Sequence, residues 1–305
     1  MQRRTVLATA LVALAVHASA LCAQDYTLEQ AASAYDALLE RANAAHAAGD
    51  VDAAIELLER AIALEPERPE AHNKLGVAQL DAGEYERAAD AFMALALRSA
   101  RLPAGDTSAN RFYLQAHDGM LEAGGLLLDE GGLQEALRIF QQLIQLFPES
   151  GDARHNLALT FADLEAFDES AAVAREMIER EPLSDAAWSF WMDALLGGAH
   201  LSDDAEVEAD YLQRYDDVHA QAEALPFRLD GLLVDGATGT LTGRLVGASA
   251  AGGTEVRLRI RFIGRGGVVD ERVVALSAPG PGVQQPFSVP APRAPITGIT
   301  YTIVE

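Results

Sequence analysis

Residues Pro69 to Leu102, PEAHNKLGVAQLDAGEYERAADAFMALALRSARL, contain two helical patterns that face each other across Asp81-Ala82-Gly83-Glu84. Leu75 and Gly76 mark the first pattern; Tyr85, Ala88 and Phe92 mark the second. Thirty-four residues earlier the same grammar runs through Ala42, Ala54, Leu58 and Ala61 to a closing Pro66. A fixed period of this size is the signature of stacked helix pairs, each unable to bury its apolar face alone.

The small residue at the helix crossing recurs as Ala42, Gly76, Gly124 and Ala158, in steps of 34, 48 and 34. The repeats therefore cover 35–68, 69–102, 117–150 and 151–184, and the 14 extra residues fall between Leu102 and Ala116. Asp106-Thr107-Ser108 is a helix start, so a loop and a lengthened first helix are expected there. Thr27 and Gln30 form a capping box for the first helix of the chain. Ala136, Phe140 and Leu143 mark the second helix of repeat three, and Phe167, Val173 and Met177 that of repeat four. Ser170 stands in repeat four where the others have alanine; Pro148 and Pro182 are terminators. This spacing resembles the tetratricopeptide repeat (TPR) family over residues 24–200. The resemblance implies an open helical solenoid whose groove is lined by the first helix of each pair, used to scaffold protein partners.

After Ser184 a further helix carries Trp188, Trp191, Met192 and Leu195, and Gly197-Gly198 is expected to end it. Residues 201–225 read as a capping helix and linker, running from Ser202-Asp203-Asp204 through Val207, Tyr211, Tyr215 and Val218. An open solenoid needs such an altered terminal unit, and this one should cover the Trp pair. From 226 to 305 the period changes to two, clearest in Glu255-Val256-Arg257-Leu258-Arg259-Ile260-Arg261-Phe262. Strands are expected at 227–234, 239–246, 255–262, 268–276, 286–289 and 298–304, with Gly- and Pro-rich turns between them. The expected fold class is α+β multidomain: an all-α TPR-like helical solenoid, then a small all-β antiparallel Ig-like sandwich.

Charge divides the same way. Of a net −23, Arg3 and Arg4 contribute +2 and residues 225–305 contribute +2, leaving −27 on residues 24–224. So acidic a helical region repels nucleic acid and anionic lipid headgroups. Met1-Gln2-Arg3-Arg4, an apolar run from Val6 to Val16 and Ala18-Ser19-Ala20 make a secretory signal, with cleavage after Ala20 or as late as Ala23. The run is too short to cross a bilayer, which takes about 20 residues. The mature chain is thus expected in the periplasm or at the cell envelope. Cys22 is the only cysteine, so no internal disulfide forms; Leu21 spoils the small residue that a lipoprotein signal needs before it.

No His, Asp or Glu pair has metal-ligand spacing, and Gly247-Ala248-Ser249-Ala250 lacks the second glycine of a nucleophile elbow. The reading is a non-enzymatic protein without cofactor or metal. One subset of the TPR family clamps C-terminal carboxylates. Its positions here hold Leu39, Asn43, Lys74, Asp118 and Glu122, and the two acids would repel an anion. A groove ligand should be neutral or basic, a peptide or a partner helix. Asn43, His46, Asn73, Lys74, Val77, Gly125, His155, Asn156 and Leu159 are its candidate contacts. Arg257, Arg259 and Arg261 alternate on one strand face, as a wet sheet face or as a cationic stripe docking on the acidic helices. The function read from this is an exported interaction scaffold. The alternative is binding of envelope glycan by the sandwich, which would need exposed aromatics among Phe227, Phe262, Phe287 and Tyr301.

Overall fold

The computed structural model describes residues 28–103, 106–235, 238–248 and 252–304. The stretch read as a secretory signal, Cys22, Thr27 and Ser249-Ala250 lie outside them. The described residues form two compact units divided between Ala71 and His72.

The first unit holds α1 (Leu28–Ala47), α2 (Val51–Leu64) and the start of α3 (Pro69–Asp81). Tyr35, Leu38, Leu39 and Ala42 are buried, as are Ala54, Ile55, Leu58 and Ala61 of α2. Asp50 caps α2 by accepting the Ala53 N–H at 3.2 Å. Tyr35 is fully buried, and its hydroxyl accepts the Ala71 N–H at 3.0 Å, satisfying a donor that the first turn of α3 leaves free. The Arg68 guanidinium lies 3.9 Å from the centre of the Tyr35 ring and 2.9 Å from Asp36. Burial pushes the phenol up to about 12.

The second unit continues α3 and adds α4 (Tyr85–Ser99), α5 (Thr107–Asp129), α6 (Leu133–Leu146), α7 (Gly151–Asp163) and α8 (Phe167–Arg180). Then come α9 (Asp185–Leu201) and α10 (Ala205–Ala224). Glycine at the crossing positions has a direct cause: a Cβ on Gly76 would stand 2.7 Å from the Phe92 ring, and one on Gly124 2.6 Å from Phe140. Gly119 of α5 grips Phe92 from the next repeat, with a Cβ there only 2.5 Å away. Phe92, Leu95, Phe112, Met120, Ile139, Leu143 and Phe147 continue that core. Ser170 is fully buried, and its hydroxyl donates to the Ala158 carbonyl at 2.8 Å, which accounts for serine in place of alanine.

The extra residues before repeat three lengthen its first helix as expected. Asp106 caps α5, accepting from the Ser108 and Ala109 N–H groups at 2.7 and 3.0 Å. One expectation needs correction: Gly197-Gly198 does not end α9, which runs on to Leu201. The glycines admit rings instead, because a Cβ would come 2.4 Å from Phe167 at Gly197 and 2.6 Å from Tyr211 at Gly198. Trp188 and Trp191 stack at 6.1 Å and pack with Val218, Ala222, Tyr211 and Tyr215 of α10. The last helix covers the pair.

Six strands follow among the described residues: β1 (Phe227–Asp235), β2 (Thr240–Gly247), β3 (Glu255–Gly264), β4 (Gly267–Ser277), β5 (Gln284–Pro290) and β6 (Gly298–Val304). They form two three-stranded antiparallel sheets, ordered β1-β2-β5 and β4-β3-β6. Alternation on β3 turns Val256, Leu258, Ile260 and Phe262 inward. Phe227, Leu229, Leu241, Leu245 and Tyr301 join them in one apolar cluster shared by both sheets.

Candidate partner-binding site

The nine candidate contacts lie on the first helices of successive pairs. In the first unit, Asn43 is exposed and His46 half-buried. In the second, Asn73 and Lys74 are half-buried and Val77 is 39% exposed. Gly125 has open space where a side chain would be, with nothing within 4 Å. Asn156 and Leu159 are half-buried. His155 meets Phe190 edge-on at 4.5 Å, and burial lowers its imidazole below the usual range against the raising effect of Asp152.

The arginine stripe is taken up within its own sheet. Arg259 and Arg261 reach the two oxygens of Glu271 on β4, at 3.3 and 2.8 Å, and Arg257 is exposed. Contact with the helices passes through other residues. Arg265, at the tip of the β3–β4 hairpin, donates to the Ser99, Leu102 and Pro103 carbonyls at 2.6, 3.2 and 2.6 Å and to Asn110 Oδ1 at 2.9 Å. Ser99 is the last residue of α4, where the helix dipole favours a cation. Arg228 of β1 pairs with Asp185 at 2.5 Å and lies 3.5 Å from Glu223.

Two further contacts fall on equivalent connections between repeats. Gly298, opening β6, lies so close to the α6–α7 connection that a Cβ would stand 2.6 Å from the Glu149 carbonyl oxygen. Leu183, in the α8–α9 connection, is fully buried in the sheet cluster, and its carbonyl accepts the Leu229 N–H at 2.6 Å. The β-sheets thus read the same edge of three consecutive repeat junctions: α4–α5, α6–α7 and α8–α9. Periodicity could not reveal this. Each contact is a single residue in a turn, and a lone arginine between glycines is the only hint in Gly264-Arg265-Gly266-Gly267.

Between the last two of those junctions and the sheets lies a cavity of about 560 Å³, lined among others by His117, Asp118, Asp152, His155, Glu181 and Asp230. His117 is held on both nitrogens, Nε2 at 2.8 Å from Ser150 Oγ and Nδ1 at 2.9 Å from Asp118. Ser150 in turn caps α7 by accepting the Ala153 N–H at 3.1 Å. Enclosure pushes the Glu181 carboxyl up to about 7, with Arg154 opposing the rise. Of the β-sheet aromatics, Phe227, Phe262 and Tyr301 are core residues and Phe287 packs half-buried against them. Among the described residues no group of His, Cys, Asp and Glu is arranged to hold a metal, and no helix is long and apolar enough to cross a membrane.

Residues 39–105 and 127–190 each match a family model described as tetratricopeptide repeat. No curated protein matches the chain. Similar solved structures include MamA, at 16% identity and a TM-score of 0.38 over 63% of this chain and 93% of that one. YrrB, described as a TPR protein with an unusual peptide-binding site, gives 17% identity and a TM-score of 0.33 over 61% of this chain and 88% of that one. A thermophilic TPR protein in Thermus thermophilus gives 23% identity and a TM-score of 0.27 over 60% of this chain and 98% of that one. The two family matches fall within the run of helix pairs, and the chain is a tetratricopeptide-repeat protein with a carboxy-terminal pair of antiparallel β-sheets.

Proposed function

We propose that this protein is an exported adaptor that takes a neutral or basic peptide, or a partner helix, on the first-helix face of its repeats. The broad class follows from the repeats themselves: the chain is a protein–protein interaction scaffold, of a family whose usual members are not enzymes. The finer reading is carried by the open face at Val77 and Gly125. Val77 is 39% exposed, and Gly125 is a helical glycine with empty space above it, which costs about 1 kcal/mol relative to alanine. Both would gain from an incoming apolar side chain. The −27 charge of residues 24–224 supplies the preference for basic partners.

The test is affinity capture on the immobilised intact protein from an envelope extract. Val77→Lys and Gly125→Leu should each deplete the captured partner at least about tenfold, since one adds a like charge for a basic ligand and the other fills the space. Undiminished capture by both variants would remove the reading. Export rests on the amino-terminal sequence pattern. Fractionation of a carboxy-terminally tagged chain in a Gram-negative host should place it outside the cytoplasm, and deleting residues 2–20 should retain it inside.

A further inference from the structure

The cavity beside the repeat junctions holds a carboxylate whose local cations are engaged elsewhere. Arg154, only 3% exposed, gives its Nε–H to Glu176 at 3.2 Å and other N–H groups to the Ser150 and Pro148 carbonyls. Arg180 pairs with Glu149 at 3.0 Å and lies 3.6 Å from Glu176. Two guanidiniums thus serve two carboxylates. The Glu181 carboxylate, the third, lines the cavity and makes no direct hydrogen bond or ion pair among the described residues, feeling Arg154 and Arg180 only through space. The Tyr301 hydroxyl is buried in the sheet core beside the Leu183 backbone, within the field of Glu181. Asp152, Asp118 and Asp230 also line the cavity. An unpaired carboxylate in a partly enclosed site is costly, and the cost is recovered when a cation with N–H donors enters.

We propose that this cavity binds a primary ammonium group, with Glu181 as its carboxylate partner. The volume accommodates a lysine side chain or a small alkylamine. The proposal builds on the reading of a partner-binding face by naming the group that a basic partner would insert. Trp188 provides a reporter, because its indole N–H donates to the Pro182 carbonyl, next to Glu181, at 2.9 Å.

The experiment titrates the intact protein with Nα-acetyl-lysine N-methylamide, its norleucine counterpart and n-butylamine, read by calorimetry and tryptophan fluorescence. The lysine amide should bind and the norleucine amide should not. Glu181→Gln should weaken lysine-amide binding about tenfold or more without lowering the melting temperature. Binding by n-butylamine as well would identify a free amine as sufficient; binding by the lysine amide alone would identify a side chain of a peptide. Equal affinity for lysine and norleucine, unchanged affinity in Glu181→Gln, or no binding of either amine would overturn the assignment. If the amines fail while Val77-dependent capture persists, the cavity assignment falls and the groove reading stands.

Discussion

Glu165 has φ +58°, the only positive value outside glycine among the described residues. It occupies the turn between α7 and α8. The corresponding turns of the other pairs hold Gly49, Gly83 and Gly131, at φ +80°, +74° and +81°. The repeat therefore requires a left-handed residue at this point, and repeat four meets the requirement with a side chain that resists it. Glu165→Gly should stabilise the protein by about 0.5–1 kcal/mol, visible as a higher denaturant midpoint at unchanged slope. Glu181 makes the opposite kind of statement, through charge. Its carboxyl rises from 4.5 to about 7, chiefly by burial, with Asp152 adding and Arg154 and Arg180 opposing. The folded state then holds a proton that the unfolded state has released, so this group's contribution to stability falls as pH rises between those values. The loss is at most about 3 kcal/mol by pH 8. Glu181→Gln should melt higher than the parent at pH 8 and close to it at pH 4.5. Parallel pH profiles for the two proteins would show that the carboxyl titrates normally.

Among the elements, α5 shows how adjacent glycines in one helix carry different meanings. Gly124 sits against the Phe140 ring, whereas Gly125 faces open space. Gly124→Ala should destabilise by about 1–3 kcal/mol, because Phe140 is fully buried and has nowhere to retreat. Gly125→Ala should stabilise by up to about 1 kcal/mol through helix propensity alone. Thermal melts of the two single variants would separate them by sign. Phe92 is held more tightly still, between Gly76 of its own repeat and Gly119 of the next. Gly119→Ala should cost about 1–3 kcal/mol, and part of that should return when Phe92→Leu is added. Equal losses in the presence and absence of Phe92 would break the link between the two positions.

For the molecule as a whole, the second unit is joined into one body by the sheets meeting three repeat junctions. Arg265 supplies four hydrogen bonds to the α4–α5 junction, and Leu183 inserts from the α8–α9 junction into the sheet core. Hydrogen bonds from a charged donor contribute about 1.5–3 kcal/mol where they replace water. Arg265→Ala should raise amide hydrogen exchange at residues 99–110 and in the β3–β4 turn. Arg259→Gln should not, because Arg259 serves Glu271 within the sheet. Leu183→Ala should cost about 2–5 kcal/mol by emptying a site in a fully buried cluster. Unchanged exchange in Arg265→Ala would mean that the hairpin contact does not constrain the junction.

The helix pairs, the lengthened α5, the strand spans and the covering of the Trp pair could all be read from the chain, because each rests on local periodicity, capping and turn chemistry. Gly197-Gly198 shows the limit of that reading. Glycine pairs normally stop helices, and only the rings of Phe167 and Tyr211, distant in sequence, explain why this helix passes through them. The same limit applies to the arginines. An alternating stripe is conspicuous in sequence, yet Glu271 takes up two of its members, while a lone Arg265 at a turn meets the helices. Residue order alone dictates which segments are helices or strands and how the helices pair, since period and turn residues act over a few positions. Where the sheets lie against the repeats, and which carboxylate is left without a cation, emerges only from the folded chain. Those outcomes depend on which groups, from about twenty to more than a hundred and fifty residues apart, meet at single points.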